Sequence, residues 1–330
     1  MYEFIGIDVS KDKLDLCWLR NNSGKTSKSK VFKNQHGSFA QLAAWIKKAT
    51  KLDPDDICIT LEATGVYHES LVYFLYEQGF QIFLANPGKA KKYADAIGLT
   101  HKTDKIDSYM LAKFGHAQCD SLKLWKPDPI EVRELKSLLS RLNALEKDRQ
   151  REKNRLESSE FNNVSERVIL SLKDMIKTLD EEINKLKKDI DDHIDKYPNL
   201  RKNNNLMKSI VGVGDVIARE MTYIFAAKCF KNAKEVAAYL GLIPKIRESG
   251  KQKGKVALSK AGSSRIRAKL YMAAVSASTY NEDIKAQKRR LLAKGKTKMQ
   301  ALGAAMRKLV QICFGVVKNE TEYKPQVAMN

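Results

Sequence analysis

The sequence predicts three segments of different class: an α/β domain first, a helical coiled-coil stretch in the middle, and a mostly α-helical domain at the end. Three observations predict it. Short β-type runs alternate with amphipathic ones over residues 1–125. From Lys126 to Leu200 there is no glycine, and apolar residues recur at alternating steps of four and three. Residues 201–330 hold amphipathic helical runs in a strongly basic background.

The elements of the first segment can be justified in order. "YEFIGIDVS" is a strand ending at Asp8, and "KLDLCWLR" is a second. "KSKVFKN" is a third, after the turn-rich "NNSGKTSKS". "GSFAQLAAWIKKAT" has helical spacing at Phe39, Leu42, Ala43, Trp45 and Ile46. "ICITLEA" is a buried strand carrying Glu62, and the helix "YHESLVYFLYEQG" follows. "QIFLAN" is a strand stopped by Pro87 and Gly88, and a last helix runs from about Lys105 past Phe114. Three strands, a helix, a strand, a helix, a strand and a helix is the order of the ribonuclease-H-like architecture, a mixed sheet with helices packed on it.

In the middle segment, Pro127 and Pro129 mark the boundary. Leu172, Ile176, Leu179, Ile183, Leu186 and Ile190 form a seam with charges outside it, and Leu135, Leu139 and Leu142 carry a similar stripe. Two long helices separated near "SSEFNNVS" make an antiparallel hairpin or a dimerising coiled coil. A plain helical spacer is the alternative; self-association is favoured. In the last segment, "SIVGVGDVIAREM" has an apolar-Gly-x-Gly turn. Such a turn either offers backbone N–H groups to a phosphate or simply joins two helices tightly.

Composition narrows the function. At 330 residues and 43% apolar the chain reads as globular, with two or three domains. No apolar run approaches the ~18 residues of a membrane span. The N-terminal stretch reads as a strand rather than a signal peptide, so a cytoplasmic location is expected. Five scattered cysteines and five dispersed histidines argue against a disulfide frame and a Cys/His metal site. The net charge is +21, and it is unevenly placed. Residues 1–200 hold 33 Lys and Arg against 31 Asp and Glu; residues 201–330 hold 27 against 8. Such a local excess implies a polyanionic partner, most simply nucleic acid.

Two groups of residues carry chemistry. Asp8 ends the first strand and Glu62 a central strand, while Asp104 and Asp107 stand three apart at a helix start. Taken singly, Asp8 reads as a turn residue, Glu62 as a helix N-terminal acid and Asp104 as an N-cap. Together, at the ends of elements that converge on one edge of such a sheet, they read as oxygen ligands for one or two Mg²⁺ ions. Asp12, Asp15, Asp95 and Glu69 read as solvated surface. The second group is "IRESGKQKGKVALSKAG", residues 246–262, where Lys245, Arg247, Lys251, Lys253, Lys255 and Lys260 crowd around Ser249 and Ser259. These cations suit a phosphodiester, and Gly250 and Gly254 suggest a mobile loop. Ser259 looks like a helix N-cap; Ser263 and Ser264 are further candidates for phosphate contact. Arg265, Arg267 and Lys269 either line a nucleic-acid groove or form a solvated face.

"GIDVSKDKLD", "LEATGVY", "NPGKAKKYADAIG", "KTDKIDSYMLA", "SIVGVGDVIA", "YLGLIPKIRESG" and "LSKAG" follow one another as in transposases of the insertion-sequence 110 family. The resemblance covers nearly the whole chain. It implies a RuvC-like domain with a D-E-D-D carboxylate set (Asp8, Glu62, Asp104, Asp107) and a C-terminal transposase domain with a catalytic serine, Ser249. It further implies a prokaryotic, nucleoid-associated DNA recombinase guided by a bridge RNA, dependent on Mg²⁺, and working through a phosphoserine intermediate. Donor and target DNA are its expected partners, and a homodimer or homotetramer with composite sites is its expected assembly. The lysine run "KQKGK" departs from the serine- and arginine-rich pattern of relatives. Two readings of other classes stand beside this one: a metal-dependent nuclease using water, and a non-catalytic nucleic-acid scaffold.

Overall fold

The computed structural model describes residues 2–20, 26–62, 65–99, 103–121, 123–245, 248–249, 252–253 and 257–326; for residues 121, 248–249 and 252–253 it describes the backbone alone. The chain divides into two compact units, Met1–Pro127 and Asp128–Asn330. The helical middle and the basic end of the sequence belong to the same unit.

The first unit is built on five strands: β1 (Glu3–Val9), β2 (Lys13–Leu19), β3 (Ser27–Lys33), β4 (Ile57–Glu62) and β5 (Gln81–Ala85). Their order in the sheet is β3-β2-β1-β4-β5; β1, β2 and β3 pair antiparallel, while β4 runs parallel to both β1 and β5. This is the mixed sheet that the element order predicts. β4 is buried from Ile57 to Leu61 because helices cover both faces. On one face lie α1 (His36–Thr50) and α2 (Glu69–Glu77). Phe39, Leu42, Ile46, Leu71 and Leu75 pack there against Ile5, Ile7, Leu14 and Ile59. On the other face lies α4 (Asp104–Ala117), whose Met110, Leu111 and Phe114 share a cluster with Ala85 and with Ala90 of α3 (Pro87–Ala96).

Close approach of α4 depends on Gly6. A Cβ on that residue would stand 2.0 Å from the Ser108 carbonyl oxygen and 2.4 Å from the Ala112 nitrogen. Sequence reasoning missed α3 entirely. Its signal was present: the Asn86 side chain accepts from the Lys89 N–H, and Pro87 occupies the first helical turn.

The second unit opens with α5 (Ile130–Phe161) and α6 (Glu166–Lys196), which form an antiparallel hairpin within the chain. Leu135, Leu139, Leu142 and Leu145 pack against Ile183, Ile190 and Ile194. Arg149 donates to Asp180 across the pair at 2.6 Å. Of the predicted seam, Ile183 and Ile190 are fully buried, whereas Leu172, Ile176, Leu179 and Leu186 are half-buried. There follow α7 (Pro198–Lys208), α8 (Asp215–Ala227) and α9 (Ala233–Tyr239), then α10 (Ser264–Tyr280), α11 (Glu282–Ala293) and α12 (Lys298–Asn319). Leu206, Met207, Ile217, Met221, Leu270, Leu309 and Val310 are among the residues of its core. Arg219, itself buried, makes a bidentate ion pair with Asp191 at 2.8 and 2.6 Å and so ties α8 to α6.

The apolar-Gly-x-Gly turn is a packing device here. Gly212 has φ +96° and lies so near Ala277 of α10 that a Cβ would come within 2.6 Å of the Ala277 Cβ. No helix among the described residues is long and apolar enough to cross a membrane.

Candidate active site

The four acids singled out in the sequence stand where their elements end on one side of the sheet. Asp8 lies near the end of β1 and faces Asp15 of β2 in the antiparallel ladder. Glu62 closes β4, one step beyond the Ile7–Leu61 pair of the parallel ladder. Asp104 and Asp107 occupy the first turn of α4. The isolated readings of these acids are corrected by this geometry. Asp8 is in regular strand, and α2 begins only at Glu69, well past Glu62. The N-cap of α4 is Thr103, whose hydroxyl accepts from the Ile106 N–H at 3.3 Å, so Asp104 is not needed for capping.

Asp8 feels the other acids. Burial, and then the charges of Asp107, Asp104, Asp15 and Glu62, push the Asp8 carboxyl up from 3.8 to about 6. Asp15 corrects the expectation of a solvated surface acid: it is 8% exposed and belongs to the cluster. The register decides this: with Asp15 directly opposite Asp8, the two side chains share one face of the sheet. Lys13 was missed as well. Its ammonium lies 3.2 Å from Asp15 and also pairs with Asp104, and hydrogen bonds to those two acids raise its pKa. A cleft of about 730 Å³ opens over the acids, lined by Asp8, Glu62, Asp104 and Asp107 and, across from them, by Lys91 and Asp95 of α3.

The donor chemistry fits a hard divalent cation: all four side chains offer carboxylate oxygens, and their mutual repulsion is what a cation would relieve. As the side chains stand, however, no three His, Cys, Asp or Glu among the described residues form a ready cage. Lys13 supplies the positive charge at the edge of the set.

In the second candidate group the described backbone forms two short ladders. β6 (Pro244–Lys245) pairs antiparallel with β9 (Ala257–Leu258), and between them β7 (Glu248–Ser249) pairs antiparallel with β8 (Gln252–Lys253). Ser249 therefore stands opposite Gln252 in a short ladder, and Lys253 opposite Glu248. Arg247, Lys251, Lys255, Gly250 and Gly254 lie outside the described residues. The base of the ladder is a backbone crossing. Gly241 has φ +71°, and a Cβ on it would come within 2.8 Å of the Ala261 nitrogen; one on Gly262 would come within 2.2 Å of the Tyr239 carbonyl oxygen. The "YLGLIP" and "LSKAG" stretches need their glycines for this contact.

The remaining candidates separate. Lys245 and Lys260 are exposed, and Lys260 has a left-handed backbone at φ +55°. Arg265 donates to Glu220 at 3.2 Å, and Arg267 to the carbonyl oxygen of Gly262. Ser259 is not the helix cap expected of it: Ser263 caps α10, accepting from the Ile266 N–H at 3.4 Å, and the Ser259 hydroxyl is buried.

Residues 5–159, which hold nearly all of this mixed sheet and all four acids, match a family model described as Transposase. Residues 204–289 match a second model, described as Transposase IS116/IS110/IS902 family. The chain belongs to this insertion-sequence 110 family of transposases and recombinases. It is 29% identical over 333 residues to a pilin gene-inverting protein of Moraxella lacunata, with 98% of each chain covered, and equally to that of Moraxella bovis. Two solved structures also match. Thermus thermophilus RuvC in complex with a Holliday junction substrate covers 38% of this chain and 100% of its own, at 12% identity and TM-score 0.28. A Thermus thermophilus RuvC structure covers 37% and 98%, at 13% identity and the same TM-score.

Proposed function

We propose that this transposase cuts and rejoins DNA strands through a covalent bond to Ser249, with Asp8, Glu62, Asp104 and Asp107 holding Mg²⁺ at the reacting phosphate. The observation that carries the reading is the convergence of Asp8, Glu62, Asp104 and Asp107 on one cleft, where burial and the neighbouring acids push the Asp8 carboxyl up. A divalent cation bound there supplies positive charge to the phosphodiester oxygens. The chain's own residues do the rest. The Ser249 oxygen attacks phosphorus and forms the P–O bond of a phosphoserine. The bond from phosphorus to the 3′-oxygen breaks, and that oxygen takes a proton from water and leaves as a 3′-hydroxyl. The serine proton passes to a carboxylate, and cations of the ladder, Lys245, Lys253 and Lys260 among them, balance the developing charge. Attack by the freed 3′-hydroxyl on a second phosphoserine linkage reverses the chemistry, so no nucleotide cofactor is required.

A bridge RNA selects the DNA by base pairing, which suits a chain rich in lysine and without a recognised base-reading motif. The assembly is a dimer or tetramer, with acids from one protomer and serine from another.

The test is the adduct. Incubation with supercoiled DNA carrying its insertion ends, followed by denaturation, yields a protein–DNA species that survives detergent. Ser249→Ala abolishes it, and so does Asp104→Ala. Mixing the two variants restores it if the sites are composite. Cleavage by Ser249→Ala at the normal rate would instead establish the water-using nuclease. Sequencing RNA that copurifies from the host tests the guide.

A further inference from the structure

The root of the helical hairpin carries a basic pocket that the catalytic reading does not use. Lys136, Ser140, Lys147 and Arg151 of α5 line it, spaced by four, seven and four residues and hence on one helix face. Tyr223 of α8 and Arg265 of α10 close it, and its volume is about 450 Å³. One acid also lines it, Asp148, which pairs with Arg151 at 2.9 Å. Four cations against one anion leave the pocket positive.

Arg265 is held in place from behind. Glu220, fully buried, accepts from Arg265 at 3.2 Å and from Lys269 at 2.8 Å. Two cations on one buried carboxylate leave positive charge to spare at the pocket wall. Tyr223 keeps its proton under all ordinary conditions. Burial, and then the neighbouring Tyr239, Asp128 and Glu220, push its phenol up to about 12, so it is available as a donor. From Lys136 to Arg151 the helix runs roughly 22 Å. A line of that length suits a chain of regularly spaced anions better than one small phosphate.

We propose that this pocket is a second seat for a nucleic-acid backbone, which takes phosphodiester groups along the root of the hairpin. Of the basic residues singled out in the sequence, it takes in only Arg265. The hairpin thus holds nucleic acid as well as joining the parts of its unit. The seat needs no catalysis, so its test is separate from that of the serine chemistry.

The experiment uses the full chain in EDTA, with labelled short duplex DNA and labelled single-stranded RNA of equal length as probes. Binding is measured by anisotropy over a range of salt. K136Q/K147Q/R151Q lowers the magnitude of the log–log salt slope by about 2.7 on duplex, or about 2.1 on single strands, for three lost phosphate contacts. The matched control is K177Q/K185Q/K188Q, three exposed lysines of α6 that do not line the pocket. A loss confined to the first variant supports the seat, and the probe that suffers more identifies its nucleic acid. Tyr223→Phe, which removes one hydroxyl, weakens binding of that same probe several-fold. Equal losses in the two triple variants, or no change of slope in the first, would overturn the proposal.

Discussion

Replacing Gly6 by alanine tests the link between packing and the acid site. The new methyl group would stand 2.0 Å from one backbone atom of α4 and 2.4 Å from another, where ordinary contact is 3.4 Å or more. Neither atom can swing aside as a side-chain end could, so α4 must retreat from the sheet by about 1 Å or more. Overpacking of this kind costs ~1–3 kcal/mol. Relief of glycine's backbone entropy returns part of that, roughly 0.5–1 kcal/mol. A net loss of about 1–2 kcal/mol is expected, which lowers a urea midpoint by roughly 0.5–1 M when m is ~2 kcal/mol/M. The three tryptophans, Trp18, Trp45 and Trp125, all lie in the first unit, so their fluorescence reports its unfolding alone. Retreat of α4 also carries Asp104 and Asp107 away from Asp8, and the Asp8 carboxyl should titrate closer to its ordinary value by NMR. Gly115→Ala is the comparison. Its Cβ would meet Thr60 Oγ1 at 2.1 Å and Phe4 Cδ1 and Thr60 Cβ at 3.2 Å, all side-chain atoms rather than backbone, so its cost should be smaller. An unchanged midpoint together with an unchanged Asp8 titration in Gly6→Ala would refute the reasoning.

Two further predictions concern charge. Because Asp8 holds its proton up to about pH 6 when folded but only to about 3.8 when unfolded, its contribution to stability is full below pH 3.8 and is lost as pH rises through 6. Asp8→Asn should remove that slope, and the difference between urea midpoints of the two proteins across pH 4–7 measures it. In the second unit, Asp191→Ala should cost about 3–5 kcal/mol, since it strands the buried Arg219 guanidinium. Arg219→Met should cost less, because Asp191 is half-exposed and can turn to water; circular dichroism melts order the two.

Local pattern determined much of this protein. Short β-type runs bounded by turn residues located β1, β2 and β4, four–three stripes located both long helices, and the placement of four acids at element ends singled out the cleft residues. Charge counting showed that the positive excess lies beyond residue 200. These features depend on neighbours a few residues apart, and the chain order contains them. Tertiary structure decided what depends on distant pairing. Asp15 became part of the acid cluster only because β2 folds back on β1, and Lys13 met Asp104 only because α4, ninety-one residues later, lies over that sheet edge. The same holds for the pocket at the hairpin root, where α8 and α10 supply Tyr223 and Arg265. Spacing along a chain fixes which side chains share a face. Which faces meet is set by packing, and here a glycine without a side chain admits the helix that brings the charges together.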